Sequence, residues 1–237
     1  MQLFYAPDLP QKIGCQLDEN DSRHCVAVLR HSEGDLITLA DGRGIFYEAR
    51  ITQAHPKCCI FEIVRTWQDP AQPAVRLHVA IAPPKNTARF EWFLEKATEI
   101  GIHEITPLIA ERSERSELRI NRLEKVMVAA MKQTLKATLP ILHPPRKLNA
   151  LLADTTALHD YPIKGIAYIN PQNQLLKHLC TPRKNVMVLI GPEGDFSPAE
   201  VQKAANAGFV PVSLGSSVLR VETAGIVVCT TVQLAQY

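Results

Sequence analysis

The sequence predicts an α/β protein in two parts: a small β-rich N-terminal domain over residues 1–72, and a larger domain over residues 73–237 built on a parallel sheet. Three observations predict it. The stretch "TWQDPAQPAVRL" (Thr66–Leu77) sets two prolines and several polar residues between patterned segments, as a linker would. Ahead of it, strand-like runs follow one another across turn signals. Beyond it, strand-like and helix-like segments alternate, which is the grammar of βαβ units.

Each element follows in order. "DLITLA", "DGRG" and "IFYEARITQA" predict a hairpin, because an Asp-Gly pair such as Asp41-Gly42 between β-rich runs is a strong turn signal. "CCIFEIVRTW" is a further strand, and the set suits a small β-barrel or curled sheet. After the seam, "VRLHVAIA" reads as a strand. "NTARFEWFLEKATEIG" reads as a helix with Phe90, Phe93, Leu94, Ala97 and Ile100 on one face and Gly101 placed to end it. "IHEITPLIA" is the next strand. A long helix is expected over Arg119 to Ala137, with Ile120, Leu123, Met127, Ala130 and Met131 inward and Pro140 just beyond. "IKGIAYIN" and "NVMVLI" are apolar runs suited to burial on both faces of a parallel sheet.

Composition sets the bounds. A chain of 237 residues that is 46% hydrophobic can fill a real core. Its N-terminal stretch has neither a basic head nor a continuous apolar run, and no segment nears the roughly 20 apolar residues of a membrane helix. A soluble, cytoplasmic protein with no membrane partner is expected. Six cysteines lack CxxC spacing and read as reduced thiols, with Cys58 and Cys59 on opposite faces. The eight histidines form no HExxH, His55 and Cys58 are a lone pair across a turn, and no metal is expected. Residues 1–70 carry seven basic against ten acidic side chains, the remainder nineteen against fourteen. So mild a surplus permits a nucleic-acid partner without indicating one. Trp67 and Trp92 read as packing residues.

The last seventy residues carry most of the functional information. In "VLIGPEGDFSPAE" a buried strand ends in a loop, Gly191 to Phe196, and a helix opens with Ser197 as N-cap, Pro198 at its first position and Glu200 completing a capping box. "FVPVSL" is another strand, and "GSSVLRVETAG" is a second glycine-bearing loop feeding the final helix "ETAGIVVCTTVQLAQ". Both loops stand at carboxyl ends of buried strands, where open α/β sheets bind ligands. Neither is a phosphate cradle: GxGxxG and GxxxxGK[ST] are absent, and Glu193 with Asp195 would repel a phosphate. A ligand there is neutral or positive; the alternative is a tight turn with solvated acids.

"LIGPEGDFSPAE", followed about twenty residues on by "SLGSSVLRVETAG", resembles the paired C-terminal motifs of the RsmE family of ribosomal RNA uridine-N3 methyltransferases, of the SPOUT class. "HCVAVLRHSEGD" and "DGRGIFYEARI" resemble its PUA-like domain, and "PKNTARFEWFLEKATEIGIHEITPLIAERSE" the start of its catalytic domain. The resemblance implies a PUA-like β-barrel over residues 1–72 and a SPOUT domain with a C-terminal trefoil knot over residues 73–237. It further implies S-adenosyl-L-methionine as methyl donor, a homodimer, and 16S ribosomal RNA as substrate, within the 30S subunit. Another RNA, a ribose 2′-hydroxyl, or a catalytically inert RNA-binding remnant are the alternatives.

Carried over residue by residue, cofactor contacts fall on Leu189, Ile190, Gly191 and Gly194, and on Leu214, Gly215, Val218 and Leu219. The chain departs from the family at Asp195, where glycine is usual, and at "MKQTLKATLP", where Gln133 is kept and Lys136 stands at an arginine position. Ionising N3 of uracil spreads negative charge onto flanking carbonyl oxygens, which suits a cation such as Arg220, and Glu222 is the nearest carboxylate for the proton. A surface salt bridge and a first-turn helix acid are the respective alternatives. RNA-binding candidates are Arg23, His24 and Arg30 in the small domain and Lys85, Arg89, Arg112 and Arg115 in the large one. The spacing of Arg112, Arg115, Arg119, Arg122 and Lys125 would align them on one helical face if the helix began early enough; interleaved glutamates favour a salt-bridged solvent face.

Overall fold

A computed structural model describes residues 2–9, 15–73, 75–114, 118–170 and 172–236. The chain divides into two compact units: Met1–Gln72 with Val128–Leu139, and Pro73–Met127 with Pro140–Tyr237.

The first unit holds β1 (Leu3–Tyr5), α1 (Glu19–Arg23) running into a π-helical turn (His24–Val28), β2 (Leu36–Ala40), β3 (Ile45–Gln53) and β4 (Ile60–Gln68). The strands form one sheet in the order β1-β2-β3-β4, parallel between the first two and antiparallel thereafter. The Asp-Gly signal is realised between β2 and β3. Gly42 and Gly44 take positive φ of 78° and 96°, where a side chain is disfavoured. Buried Asp41 accepts from the amides of Arg43 (2.7 Å) and Ile45 (3.2 Å). Phe4, Leu39, Tyr47, Ile51 and Phe61 close a core that also takes in Cys25 and Cys59, whose thiols burial pushes up, that of Cys25 to about 12.

The stretch 128–139 completes this unit. The Ala137 amide donates to Asp69 Oδ2 (2.9 Å), the Leu139 amide to the Gly42 carbonyl (2.9 Å), and Lys132 pairs with Asp21 (2.8 Å). The single seam near residue 72 therefore marks one crossing among three. Periodicity hides the others because α3 (Ile120–Gln133) is one uninterrupted amphipathic helix that passes from the second unit into the first. It ends earlier than the expected Ala137. Leu135 takes φ +54° while the Lys136 amide donates back to the Met131 carbonyl (3.1 Å), the left-handed stop that glycine makes without steric cost. Leu135 is also well exposed, so Leu135→Gly is expected to raise stability by about 1 kcal/mol; the urea midpoint measures it.

The second unit contains β5 (Leu77–Ile81), α2 (Thr87–Ile100), β6 (Glu104–Ile109), β7 (Ile141–Leu142), β8 (Arg146–Lys147), α4 (Leu148–Leu152), α5 (Thr155–His159), β9 (Ile163–Ala167), β10 (Gln174–Leu175), α6 (Leu176–Leu179), β11 (Val186–Ile190), α7 (Pro198–Asn206), β12 (Val210–Ser213) and α8 (Val221–Leu234). The parallel sheet runs β10-β12-β9-β11-β5-β6-β7, with β8 continuing beside β6. β5 and β11 are buried at every position, as their apolar runs require. The shorter elements β7, β8, β10, α4, α5 and α6 lie outside the expected set.

α2 keeps its expected buried face and ends at Gly101 with φ 108°. Trp92, expected to pack, is 43% exposed, whereas Trp67 stacks on Phe46 at 5.4 Å. Against α2 lies α8, whose buried side includes Val221, Ala224, Gly225, Val228 and Cys229. A Cβ on Gly225 would stand 2.4 Å from Phe93 Cε2 and 3.1 Å from Ile81 Cδ1. Alanine normally favours a helix over glycine by about 1 kcal/mol. Here overpacking of about 1–3 kcal/mol opposes it, so Gly225→Ala is expected to lower the thermal midpoint despite its better propensity; a midpoint at or above wild type would contradict the close packing. No helix among the described residues is long and apolar enough to cross a membrane.

Candidate functional site

Three neighbouring strands, β12, β9 and β11, release loops from their carboxyl ends, and these loops line a cleft of about 800 Å³. The β9 loop contributes Tyr168, Ile169, Asn170 and Asn173; the β11 loop Gly191, Pro192, Glu193 and Asp195; the β12 loop Leu214 to Arg220. Ile190, Val212, Val221 and Ala224 add apolar wall.

The β11 loop is pinned from several sides, which answers why the strand does not end in a plain turn. Ser197 caps α7 and Glu200 completes the capping box, its Oε2 accepting from the Ser197 amide (2.9 Å). The other oxygen of this buried carboxylate accepts from the Glu111 amide (2.8 Å), tying the loop to the turn after β6. Arg112 donates to the Gly194 carbonyl (2.7 Å), and the Lys85 amide reaches Glu193 Oε1 (3.4 Å). Asp195 adopts φ +60°; its carboxylate accepts from the Phe196 amide (2.8 Å) and, across the cleft wall, from the Ile169 amide (3.3 Å).

The β12 loop is braced more lightly. Ser213 Oγ donates to the Gly215 carbonyl (2.9 Å) and accepts from the Gly215 amide (3.2 Å), while Gly215 takes φ +135° and residues 215–218 are exposed. Arg220 is the N-cap of α8 and stands on the cleft wall, with no carboxylate among the described residues within ion-pair reach. Glu222, two residues on, is buried and 3.7 Å from Arg89 Nε.

Of the expected cofactor residues, Ile190, Gly191, Leu214, Gly215, Val218 and Leu219 line the cleft. Two stand off its wall. Leu189 is fully buried in the core with Phe196 and Phe209, because side chains alternate along β11, and the missing side chain of Gly194 would point at Arg112. Glu222 likewise lies off the wall. The β9 loop is the part that sequence reasoning missed. Its signal was present, since "IKGIAYIN" is a buried strand whose carboxyl end falls under the same rule as the other two.

The RNA-binding candidates are spread over both units. Arg23 and His24 occupy the end of α1 and the start of the π-helical turn, and Arg30 stands two residues beyond that turn, with Arg23 and Arg30 exposed. Lys85 pairs with Glu114 (3.1 Å), and Arg115 lies outside the described residues. The basic helical face does not form: α3 starts at Ile120, Arg112 sits in the turn after β6, and Arg122 is paired with Glu91 at 2.6 Å. Gln133 is exposed, and burial lowers the pKa of Lys136 against the pull of Asp69.

A second polar cluster lies away from these loops. His78, Glu104 and His143, which no motif links, have ligand-type atoms within 4.8 Å of one another. Glu104 is already occupied: one oxygen accepts from Tyr161 (2.6 Å) and Arg76, the other meets His143 Nε2 at 2.8 Å, while His78 Nε2 pairs with Thr106 at 2.8 Å. With a guanidinium already on Glu104, the group reads as a self-satisfied network rather than a cation site.

The family model described as RNA methyltransferase domain matches residues 71–233, and that described as RNA methyltransferase PUA domain matches residues 17–64. A crystal structure described as a probable rRNA-methyltransferase from Porphyromonas gingivalis superposes with TM-score 0.91 at 40% identity, covering 100% of this chain and 98% of that one. The ribosomal RNA small subunit methyltransferase E from Neisseria gonorrhoeae bound to S-adenosyl methionine gives TM-score 0.84 at 27% identity, over 99% and 97%. The protein of the same description from Mesomycoplasma hyopneumoniae is 29% identical over 190 residues, 78% of this chain and 80% of its own length.

Proposed function

The chain belongs to the RNA methyltransferase domain family, and from that premise we propose that it methylates N3 of a uridine in the 16S ribosomal RNA of the small subunit, with S-adenosyl-L-methionine as donor. The observation that carries this reading is the three-loop cleft at the carboxyl ends of β12, β9 and β11, on which both resemblance motifs converge.

The cleft fits the donor. Its volume falls in the range of about 300–1,000 Å³ typical of small-molecule pockets. A Cβ on Gly215 would meet nothing within 4 Å, so main chain is presented there, and the wall mixes aliphatic side chains with the carboxylate of Glu193, which favours a cation over a phosphate. Ile190, Gly191, Leu214, Gly215, Val218 and Leu219 would hold it, with Leu189 and Gly194 supporting from behind. When bound, S-adenosylmethionine supplies a methyl group made electrophilic by its sulfonium.

The protein's own work is to orient the uracil and to stabilise charge. As the N3 proton leaves, negative charge gathers on the flanking carbonyl oxygens. Arg220 offers a guanidinium there, reinforced by the positive end of the α8 dipole. Glu222, turned onto Arg89, anchors that arginine; a proton-accepting role requires the pair to open.

RNA is gripped by Arg23, His24 and Arg30 of a PUA-like domain, residues 1–72, and by Lys85, Arg89, Arg112 and Arg115 of the catalytic part, residues 73–237, whose final segment is knotted as in the family resembled. The protein works in the cytoplasm on the 30S particle and as a homodimer. Exposed Ile169 (64%) and Val218 (78%) beside the cleft supply apolar surface for a second copy, and light scattering would read twice the chain mass. Incubation with S-adenosylmethionine and undermodified 30S particles, then nucleoside analysis, is expected to yield 3-methyluridine. A folded, donor-binding protein that leaves uridine unmodified would remove the proposal.

A further inference from the structure

β9 and β11 run side by side, and their last registered pair is Ala167 with Ile190. Beyond it the ladder stops and the two loops diverge to form adjacent walls of the cleft. Among the described residues one hydrogen bond spans the divergence: the Ile169 amide donates to Asp195 Oδ2 at 3.3 Å, while Asp195 Oδ1 accepts from the Phe196 amide at 2.8 Å. Asp195 stands at φ +60°, a left-handed conformation that costs every residue but glycine something, aspartate and asparagine least because they hydrogen-bond locally. A side chain kept there at a conformational cost is one whose contacts offset it. Among the described residues the β9 loop otherwise bonds to itself and to β12, Asn173 Nδ2 donating to the Tyr168 carbonyl (2.8 Å), the Asn173 amide to that of Asn170 (3.0 Å) and the Tyr168 amide to the Val212 carbonyl (3.2 Å), so the aspartate is what fastens that loop to the β11 wall.

We infer that Asp195 is a positioning residue for the methyl donor: its carboxylate, spent on two main-chain amides, braces the β9 loop against the β11 loop and fixes the width of the cleft between them. The inference rests on the proposed function for the identity of the ligand, but not for the brace itself. A brace acts through hydrogen-bond acceptance and geometry. A carboxylate that served by charge would instead discriminate the sulfonium of S-adenosylmethionine from the neutral thioether of S-adenosylhomocysteine.

Two variants separate these cases. Asp195→Gly removes the carboxylate while relieving the left-handed backbone, so it is expected to fold with a thermal midpoint at or above wild type. Asp195→Asn keeps one acceptor oxygen and tolerates the same φ. In the free protein, amide hydrogen exchange at Ile169 is expected to quicken roughly tenfold in the glycine variant and to return to within about threefold of wild type in the asparagine variant. By calorimetry, Asp195→Gly is expected to bind both nucleosides roughly tenfold more weakly and Asp195→Asn to bind both nearly as wild type does. Unchanged Ile169 exchange in Asp195→Gly would overturn the brace, as would an asparagine variant that loses S-adenosylmethionine alone. A wild-type protein that bound neither nucleoside would instead remove the methyl-donor reading, with the exchange comparison still deciding the brace.

Discussion

Arg220→Ala is expected to slow methyl transfer by about 10²- to 10³-fold, the cost typical of removing one group aimed at charge that develops in a transition state, while S-adenosylmethionine affinity stays within a few-fold of wild type. The asymmetry follows from the geometry. Arg220 stands on the wall of the cleft where loop becomes helix, and no carboxylate among the described residues engages its guanidinium. Its charge is therefore available to a uracil oxygen, and it contributes little to a donor that already carries a sulfonium. Arg220→Lys keeps the charge but loses the planar fork, and is expected to fall between. Single-turnover transfer from labelled donor, read beside calorimetry, checks both terms. A tenfold or greater loss of donor affinity at wild-type turnover would move Arg220 from catalysis to binding.

Glu104→Ala is expected to cost about 3 kcal/mol of stability, because it strips a buried network of its central carboxylate, leaving Tyr161 without its acceptor and Arg76 with Asp160 alone. The same network makes the wild type acid-labile. Burial pushes the His78 pKa down from 6.5 to about 4, so the unfolded chain takes up a proton that the folded one refuses. Stability from that source is full above pH 6.5 and falls by about 3 kcal/mol as pH drops toward 4. Burial also works against the charge of Glu104, but hydrogen bonds from His143, Tyr161 and Arg76 prevail and hold its carboxyl well below the usual range. That contribution, present above pH 4.5, is lost as pH falls further. Urea midpoints from pH 7.5 down to 4 are expected to decline monotonically, and His78→Asn to flatten the upper part of the curve.

Strand runs, the Asp-Gly hairpin, the α2 face and the Ser197 to Glu200 capping box were legible in the sequence because each is written in residues near one another along the chain. So were the two glycine-bearing loops, since loops at carboxyl ends of buried strands announce themselves through glycine and apolar flanks; the individual donor residues proposed in them came with the family resemblance, and six of those eight line the cleft. Leu189 and Gly194 stand off the cleft wall because a motif marks a segment and not which way each residue faces. The β9 loop went unread for want of glycine, although Tyr168 and Ile169 follow a strand as apolar as its neighbours. The Glu104 network was illegible for another reason: its partners come from Arg76, His78, Tyr161 and His143, brought together by strand register and not by spacing.

The strut formed by residues 128–139 has a consequence for synthesis. Ala137, Lys132 and Leu139 reach the groups they satisfy only after more than half the chain has been translated. During that interval Asp69 Oδ2 and the Gly42 carbonyl are left to water, so the N-terminal module acquires its last contacts only after the first polypeptide has emerged from the ribosome. An expression fragment stopped at residue 72 would inherit the same deficit permanently, and grafting residues 128–139 onto it through a flexible tether is the way to recover an independent fold.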